Sequence, residues 1–297
     1  MPVENVQIYP SHKRIVPNFK LVKVISNLSD KSYNRLIDGK NADIVEKRKT
    51  KKHVEVVSTF TISNSDGYDN SDPLDILDHS VASVCYSEYE EGNRYITDAM
   101  ILRGLTGKVG KNTNGLINKD QQFAIMESVK KLMSTIITID QKDANQSLGY
   151  EAEDSITSTI LPACLVTKKI NGQEVENVIF FDREPPLLAI AKARKQILTY
   201  DVVLLDVPNQ NNTPLVIIIK NYVIQRVMEI IKHKMTPTLT LDDIFEKCRI
   251  ANAHPQVKAR ARAYIEEFLT HLQNQKVIKS FQWTKKANKF YSVKLTY

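Results

Sequence analysis

The chain has 297 residues, of which 42% are hydrophobic and 25% charged, an ordinary globular composition that suits two domains and a tail. No run approaches roughly 18 consecutive apolar residues, so no membrane span is expected, and 1–17 lacks the apolar core of a signal peptide. The net charge of +7 is unevenly spread: 1–55 carries 12 Lys+Arg and 6 Asp+Glu, 56–213 carries 14 and 22, and 214–297 carries 15 and 6.

In chain order, 1–53 has weak periodicity and ends in the cluster Lys47-Arg48-Lys49-Thr50-Lys51-Lys52; it reads as a mobile basic arm. Residues 54–62 (VEVVSTFTI) read as a strand, and 63–72 as a loop dense in turn formers. Asp72 as N-cap and Pro73 at the first helical position open a helix that Gly92-Asn93 ends. Thr97 caps a second helix, stopped by Gly107. Asn118 or Asp120 begins a third, reaching about Ser134, with Phe123, Ile125, Met126, Val129 and Leu132 as its apolar side. Residues 135–139 read as a strand. Two more strands, 160–167 and 174–181, flank Asn171-Gly172, a hairpin signal because both residues tolerate positive φ. A short helix (186–196), a strand (197–207) and a polar linker (209–213, NQNNT) follow.

The last third is clearer. Pro214 opens a long helix to about Lys232. Thr240 caps a short one, with Leu241, Ile244, Phe245 and Cys248 inward. His254-Pro255 starts a third, with Val257, Ala261, Tyr264, Ile265, Phe268 and Leu272 along one face, and 277–283 with 288–296 form a hairpin. Helix, helix, basic helix, hairpin is the element order of a winged-helix domain, and 73–181 is a weaker copy of it. The fold expected is therefore α+β: two tandem winged-helix domains, 54–208 and 214–297, behind a mobile basic arm, 1–53. Cys85, Cys164 and Cys248 sit in apolar stretches and read as small buried hydrophobes, not as a disulfide framework or zinc site. A reducing cytoplasm fits.

A localised basic block is the electrostatic footprint of phosphate binding. In the last helix, Gln256, Lys258, Ala259, Arg260 and Arg262 occupy the first two turns, with Lys258 and Arg262 on one face. The N-terminal part of a recognition helix meets base edges: Arg takes guanine and Gln adenine bidentately. Asn252 and His254 precede it, where phosphate contacts are common. Lys279, Lys285, Lys286 and Lys289 make the hairpin basic, as point charges for backbone or minor groove. The alternatives are a solvated charged helix face and lysines protecting a strand edge. In the first domain the third helix offers Lys119, Gln121, Gln122, Ser128, Lys130 and Lys131, preceded by Lys108 and Lys111. Its surroundings are acidic, so DNA contact and self-association are equally open.

Enzyme signatures are not found. The stretch 104–108 (GLTGK) has too few residues between its glycines for a phosphate loop and no Ser or Thr after the lysine. The six histidines form no His-x-His pair of the kind a metal-dependent nicking enzyme would need, and no Cys/His group has zinc spacing. No catalytic residue, metal or cofactor is expected.

The textures of 95–107 (YITDAMILRGLTG) and 220–231 (KNYVIQRVMEII), set in this architecture from about residue 54 to 297, resemble the plasmid replication initiators with tandem winged-helix domains used in theta-type replication. Phage and mobile-element initiators share the pattern. The resemblance implies binding of double-stranded DNA at directly repeated origin sites (iterons) as monomers. It also implies a second domain that reads the major groove through Lys258, Arg260 and Arg262, and a first domain that adds contacts and dimerisation. A monomer–dimer equilibrium, repression of the protein's own promoter, and recruitment of a host initiator or helicase go with it. A winged-helix transcriptional regulator and a non-catalytic winged-helix scaffold are the competing readings.

Overall fold

A capping box fixes the first helix. The Asp75 carboxylate accepts from the backbone N–H groups of Leu77 (2.7 Å) and Asp78 (3.0 Å), and the Asp78 carboxylate accepts from the Asp75 N–H (2.8 Å). The helix is α1 (Ile76–Glu90), with Asp75 as its N-cap where Asp72 was expected. The structure is a computed structural model that describes residues 11–17, 42–49, 54–64, 74–108, 118–140, 155–170, 172–193, 195, 197–286 and 289–297. Thr50-Lys51-Lys52, Asp72-Pro73, Lys111 and Asn171 lie outside them.

Among the described residues α1 is followed by β4 (Tyr95–Ile96), α2 (Asp98–Thr106) and α3 (Lys119–Ser134). Then come β5 (Thr135–Asp140), β6 (Ser155–Thr159), β7 (Ala163–Ile170), β8 (Gln173–Phe181) and α4 (Pro186–Ala193). Before α1 lie β1 (Lys13–Pro17), β2 (Ala42–Lys49) and β3 (Val54–Asn64); after α4 come β9 (Ile197–Asp201) and a 3-10 turn (Val202–Leu205). The C-terminal module is α5 (Pro214–His233), β10 (Thr238–Thr240), α6 (Leu241–Lys247), α7 (Pro255–Asn274), β11 (Ser280–Lys286) and β12 (Lys289–Thr296). The class is α+β.

The two modules share one plan. In each, a short strand leads straight into a threonine-capped helix: Thr97 accepts from the Met100 N–H, and Thr240 from the Asp243 N–H. The short strand pairs with the second strand of the later hairpin, giving sheet orders β4-β8-β7 and β10-β12-β11. The first module differs by an insertion: β5 leaves α3 directly and joins a four-stranded antiparallel sheet, β2-β3-β5-β6. β4 and β10 escaped the sequence reading, being too short to show a period.

The N-terminal arm needs correction. β1 pairs antiparallel with β9, from Lys13 opposite Asp201 to Pro17 opposite Ile197, and β2 pairs with β3. Residues 13–17 are therefore built into the fold, and Lys47, Arg48 and Lys49 belong to a strand. The reason is Arg14, 1% exposed. Its guanidinium donates to the carbonyls of Ser80 on α1 and Gly104 on α2, both at 2.8 Å, and to Asn221 Oδ1 on α5 at 3.1 Å. Asn221 Nδ2 in turn donates to the Leu105 carbonyl at 3.0 Å. The last carbonyls of α2, which a helix cannot satisfy internally, are thus capped from outside by a cation and an amide.

This seam joins the modules. Ile217 of α5 belongs to the first hydrophobic core, built on Val81, Ile101, Leu105, Val129 and Phe181; Val16 and Ile76 belong to the second, built on Val223, Ile244, Ile265, Phe268 and Val293. Lys220, also buried, donates to the Leu205 carbonyl and Asn212 Oδ1, each at 2.7 Å, and burial pushes its ammonium down to about 8. The segment 209–213 is stitched into the seam and not merely a linker. The sequence-expected strand 197–207 stops at Asp201, because the following 3-10 turn closes on α2: at Gly107 (φ +82°) a Cβ would lie 2.3 Å from the Asp206 nitrogen. Two further expectations fail. Phe123 is 69% exposed, since it lies about 200° round α3 from Ile125. Cys164 is exposed on β7, whereas Cys85 and Cys248 are buried.

Candidate nucleic-acid interface

The helix α7 starts at His254, whose Nδ1 accepts from the Gln256 N–H (3.3 Å), with Pro255 in the first turn. Ala261, Ile265, Phe268, Leu269 and Leu272 are buried against the second core. That stripe leaves Gln256, Ala259 and Arg260 exposed and Lys258 and Arg262 half-buried on its flank, one turn apart. Asn252 and His254 are exposed just ahead of the helix.

Phe290 on β12 organises the junction of helix and hairpin. The Arg262 guanidinium lies 4.1 Å from its ring centroid, and the Lys285 ammonium 4.8 Å. Trp283 meets the same ring edge-on, at 5.5 Å and 77°. One ring therefore holds a cation from the helix beside a cation from the hairpin, each contact worth about 0.5–1 kcal/mol when exposed. Lys286 reaches over the Tyr291 ring at 5.6 Å. Among the described residues no carboxylate pairs with Lys258, Arg260, Arg262, Lys285 or Lys286. Cations with no carboxylate beside them leave their field uncompensated for an external anion.

Lys279 stands apart. It lies at the base of the hairpin, roughly 20 Å along the strand from Lys285, and donates to the Tyr297 carbonyl at 3.1 Å. The Lys289 side chain lies outside the described residues.

The first module spends its charges internally. Lys131 pairs with the buried Asp78 (3.1 Å), which also accepts from Ser128 Oγ (2.6 Å). Burial pushes the Asp78 carboxyl up, and Asp75 adds to that. Lys130 pairs with Glu127 (2.9 Å), Gln122 donates to Asp98, and Gln121 to the Asn212 carbonyl. Lys119 is exposed in the first turn. The hairpin of this module, expected from Asn171-Gly172, also carries a cation that the site residues expected from sequence do not include. Lys168 on β7 lies 4.7 Å from the Tyr95 ring of β4, so this hairpin too holds a lysine over an aromatic ring, though on a different strand from Phe290. Its signal was a lysine pair, Lys168-Lys169, ahead of a tight turn, as Lys285-Lys286 stand in β11.

Among the described residues no group of three or more His, Cys, Asp or Glu side chains could hold a metal ion, and no helix is long and apolar enough to cross a membrane. No known protein-family description matches the chain, and no curated protein does. Among solved structures, the chain is similar to the crystal structure of RctB domains 2-3, at 11% identity and a TM-score of 0.41, with 86% of this chain and 91% of that chain covered. A selenomethionine derivative of domains 2 and 3 of RctB gives 10% identity, a TM-score of 0.40 and the same coverage.

Proposed function

We propose that both modules are winged helices and that the chain is a non-catalytic, sequence-specific binder of double-stranded DNA, acting in replication initiation at directly repeated sites. The observation that carries this reading is the pairing of Arg262 and Lys285 about the Phe290 ring. It sets the cationic start of α7 and the basic hairpin side by side, as a helix in the major groove with a wing on the adjacent backbone requires. Arg260 and Arg262 would take guanine edges, Gln256 adenine, and Lys258, Lys285 and Lys286 phosphates.

Direct repeats are favoured over an inverted repeat because one chain already holds two modules of the same plan, joined through Arg14, Asn221 and the shared cores. Such a chain would read an asymmetric site as a monomer, without the two-fold partner that imposes an inverted repeat. Self-association, host initiator or helicase contacts and a cytoplasmic setting belong to the same proposal. The test is protection mapping on DNA flanking the coding sequence at two salt concentrations. Regular protection over tandem direct repeats supports the reading. A single inverted-repeat footprint points to a transcriptional regulator instead, and absence of specific protection to a scaffold.

A further inference from the structure

Helices α3 and α7 keep the same spacing of cap and buried positions along the sequence. The N-caps Asn118 and His254 and the buried pairs Ile125/Ala261, Val129/Ile265 and Leu132/Phe268 all differ by 136 positions. At the same offset the cations Lys258, Arg260 and Arg262 correspond to Gln122, Ala124 and Met126, and the exposed Ala259 corresponds to Phe123. Around Phe123 the first module therefore presents Gln122, Ala124 and Met126 where the second presents cations, with Lys119 and Asp120 exposed in the turn before. Phe123, 69% exposed, is the most exposed large apolar side chain among the described residues. Lys119 lies one turn before it on the same face. Of the nearby acids, Asp98 accepts from Gln122 and Glu127 and Asp78 pair with Lys130 and Lys131, while Asp120 is exposed beside Lys119 in the first turn.

We infer that Phe123 is a specificity-determining residue that packs against the 5-methyl group of a thymine in the major groove; this rests on the DNA-reading function proposed above. The position matches the proposed base-facing side of α7, and Phe is one of the apolar side chains that contact the thymine methyl; an Ala at the same backbone distance ends several ångströms short of it. A second copy of this chain suits the site less well. A stable interface needs about 800 Å² from each partner, and no other exposed large hydrophobic among the described residues lies on α3; the others are Val203, Met235, Tyr291 and Tyr297. One isolated ring is the size of a methyl contact, not of a dimer face.

The experiment is a cycle of two changes, Phe123→Ala and replacement of individual thymines by deoxyuridine, which removes only the methyl, across a protected site. Wild type should lose about four- to tenfold in affinity at one thymine outside the stretch protected by the C-terminal module, the effect of one buried methyl against a ring. Phe123→Ala should bind the unmodified site about tenfold more weakly and be indifferent to deoxyuridine at that position. Equal sensitivity of wild type and Phe123→Ala to every deoxyuridine overturns the inference, as does a variant that changes sedimentation but not DNA affinity. Absence of specific binding by wild type strikes instead at the DNA-reading function. Because Phe123 is exposed, the variant should keep its fold.

Discussion

Removing Arg14 tests whether the modules are one body. The side chain makes three charge-assisted hydrogen bonds, to Ser80, Gly104 and Asn221, at 2.8, 2.8 and 3.1 Å. Each is worth about 1.5–3 kcal/mol, roughly 5–9 in all. Against this stands the several kcal/mol it costs to bury a guanidinium, a cost that also lowers its pKa. Arg14→Ala leaves the Gly104 carbonyl without its outside donor and opens a cavity, so the expected net loss is about 3–5 kcal/mol. Arg14→Met fills the volume without a buried charge and should lose only about 1–3 kcal/mol, the cost of the unpaired carbonyl. The assay is urea unfolding read two ways. Trp283, the single tryptophan, reports the C-terminal module, and far-ultraviolet circular dichroism reports both. In wild type the two curves should coincide; in Arg14→Ala they should separate, the first module melting earlier. A loss below about 1 kcal/mol with coincident curves would refute the account of Arg14 as the lock.

Four further outcomes are expected. Arg262→Ala should weaken specific DNA binding by about 1–3 kcal/mol, through the base contact and the lost stacking on Phe290. Lys286→Ala should weaken binding to all sequences and reduce the salt slope by about one; both are read by titrating binding against salt. Glu88 accepts from the Ser11 N–H (3.1 Å) and Asn93 Nδ2 (2.7 Å), yet burial pushes its carboxyl up to about 7. The folded state then holds the proton more tightly than the unfolded one, so this contribution is full below about 4.5 and fades as pH rises through about 7. Unfolding measured across that window should show a decline on the order of 2 kcal/mol that Glu88→Gln abolishes. Gly107→Ala should cost about 2–4 kcal/mol in thermal unfolding, because φ is +82° and the added Cβ meets the Asp206 nitrogen.

Much of the helical framework was legible because caps are local chemistry. Thr97, Asn118, Thr213, Thr240 and His254 each accept from a backbone N–H one or two residues into their helices. Gly107 stops α2 in the left-handed region, as its type foretells. What was illegible depended on partners distant in sequence. β1 exists through β9, nearly two hundred positions on, and its central feature is a buried arginine, which a hydrophobicity pattern scores as surface. β4 and β10 are two and three residues long and are defined by pairing alone. Among the site residues, Lys258, Arg260 and Arg262 emerged from charge and spacing, but Lys131 and Asp78 compensate each other across two helices. Phe123 was assigned inward by composition, although the Ile125–Val129–Leu132 stripe already excludes it from the buried face.

The duplicated plan explains how one chain combines rigidity with two kinds of surface. Both modules must bury the same positions of their third helix, so Ile125, Val129 and Leu132 answer Ala261, Ile265 and Phe268. The outward positions carry no such constraint, and there the two have diverged: cations at 258, 260 and 262, neutral side chains at 122, 124 and 126. Cations supply affinity that falls with salt and is largely indifferent to sequence, whereas an apolar side chain against a base edge supplies discrimination that salt hardly changes. Two identical cationic modules would bind any duplex tightly. Under the proposed function, a cationic helix locked to one that presents Phe123 would divide the tasks, and the lock would have to be stiff for the second module to add selectivity without a new entropy cost at each encounter. In the proposed function, loosening the seam at Arg14 should therefore reduce specific binding more than binding to unrelated DNA. That contrast is measurable with the same variant used for unfolding.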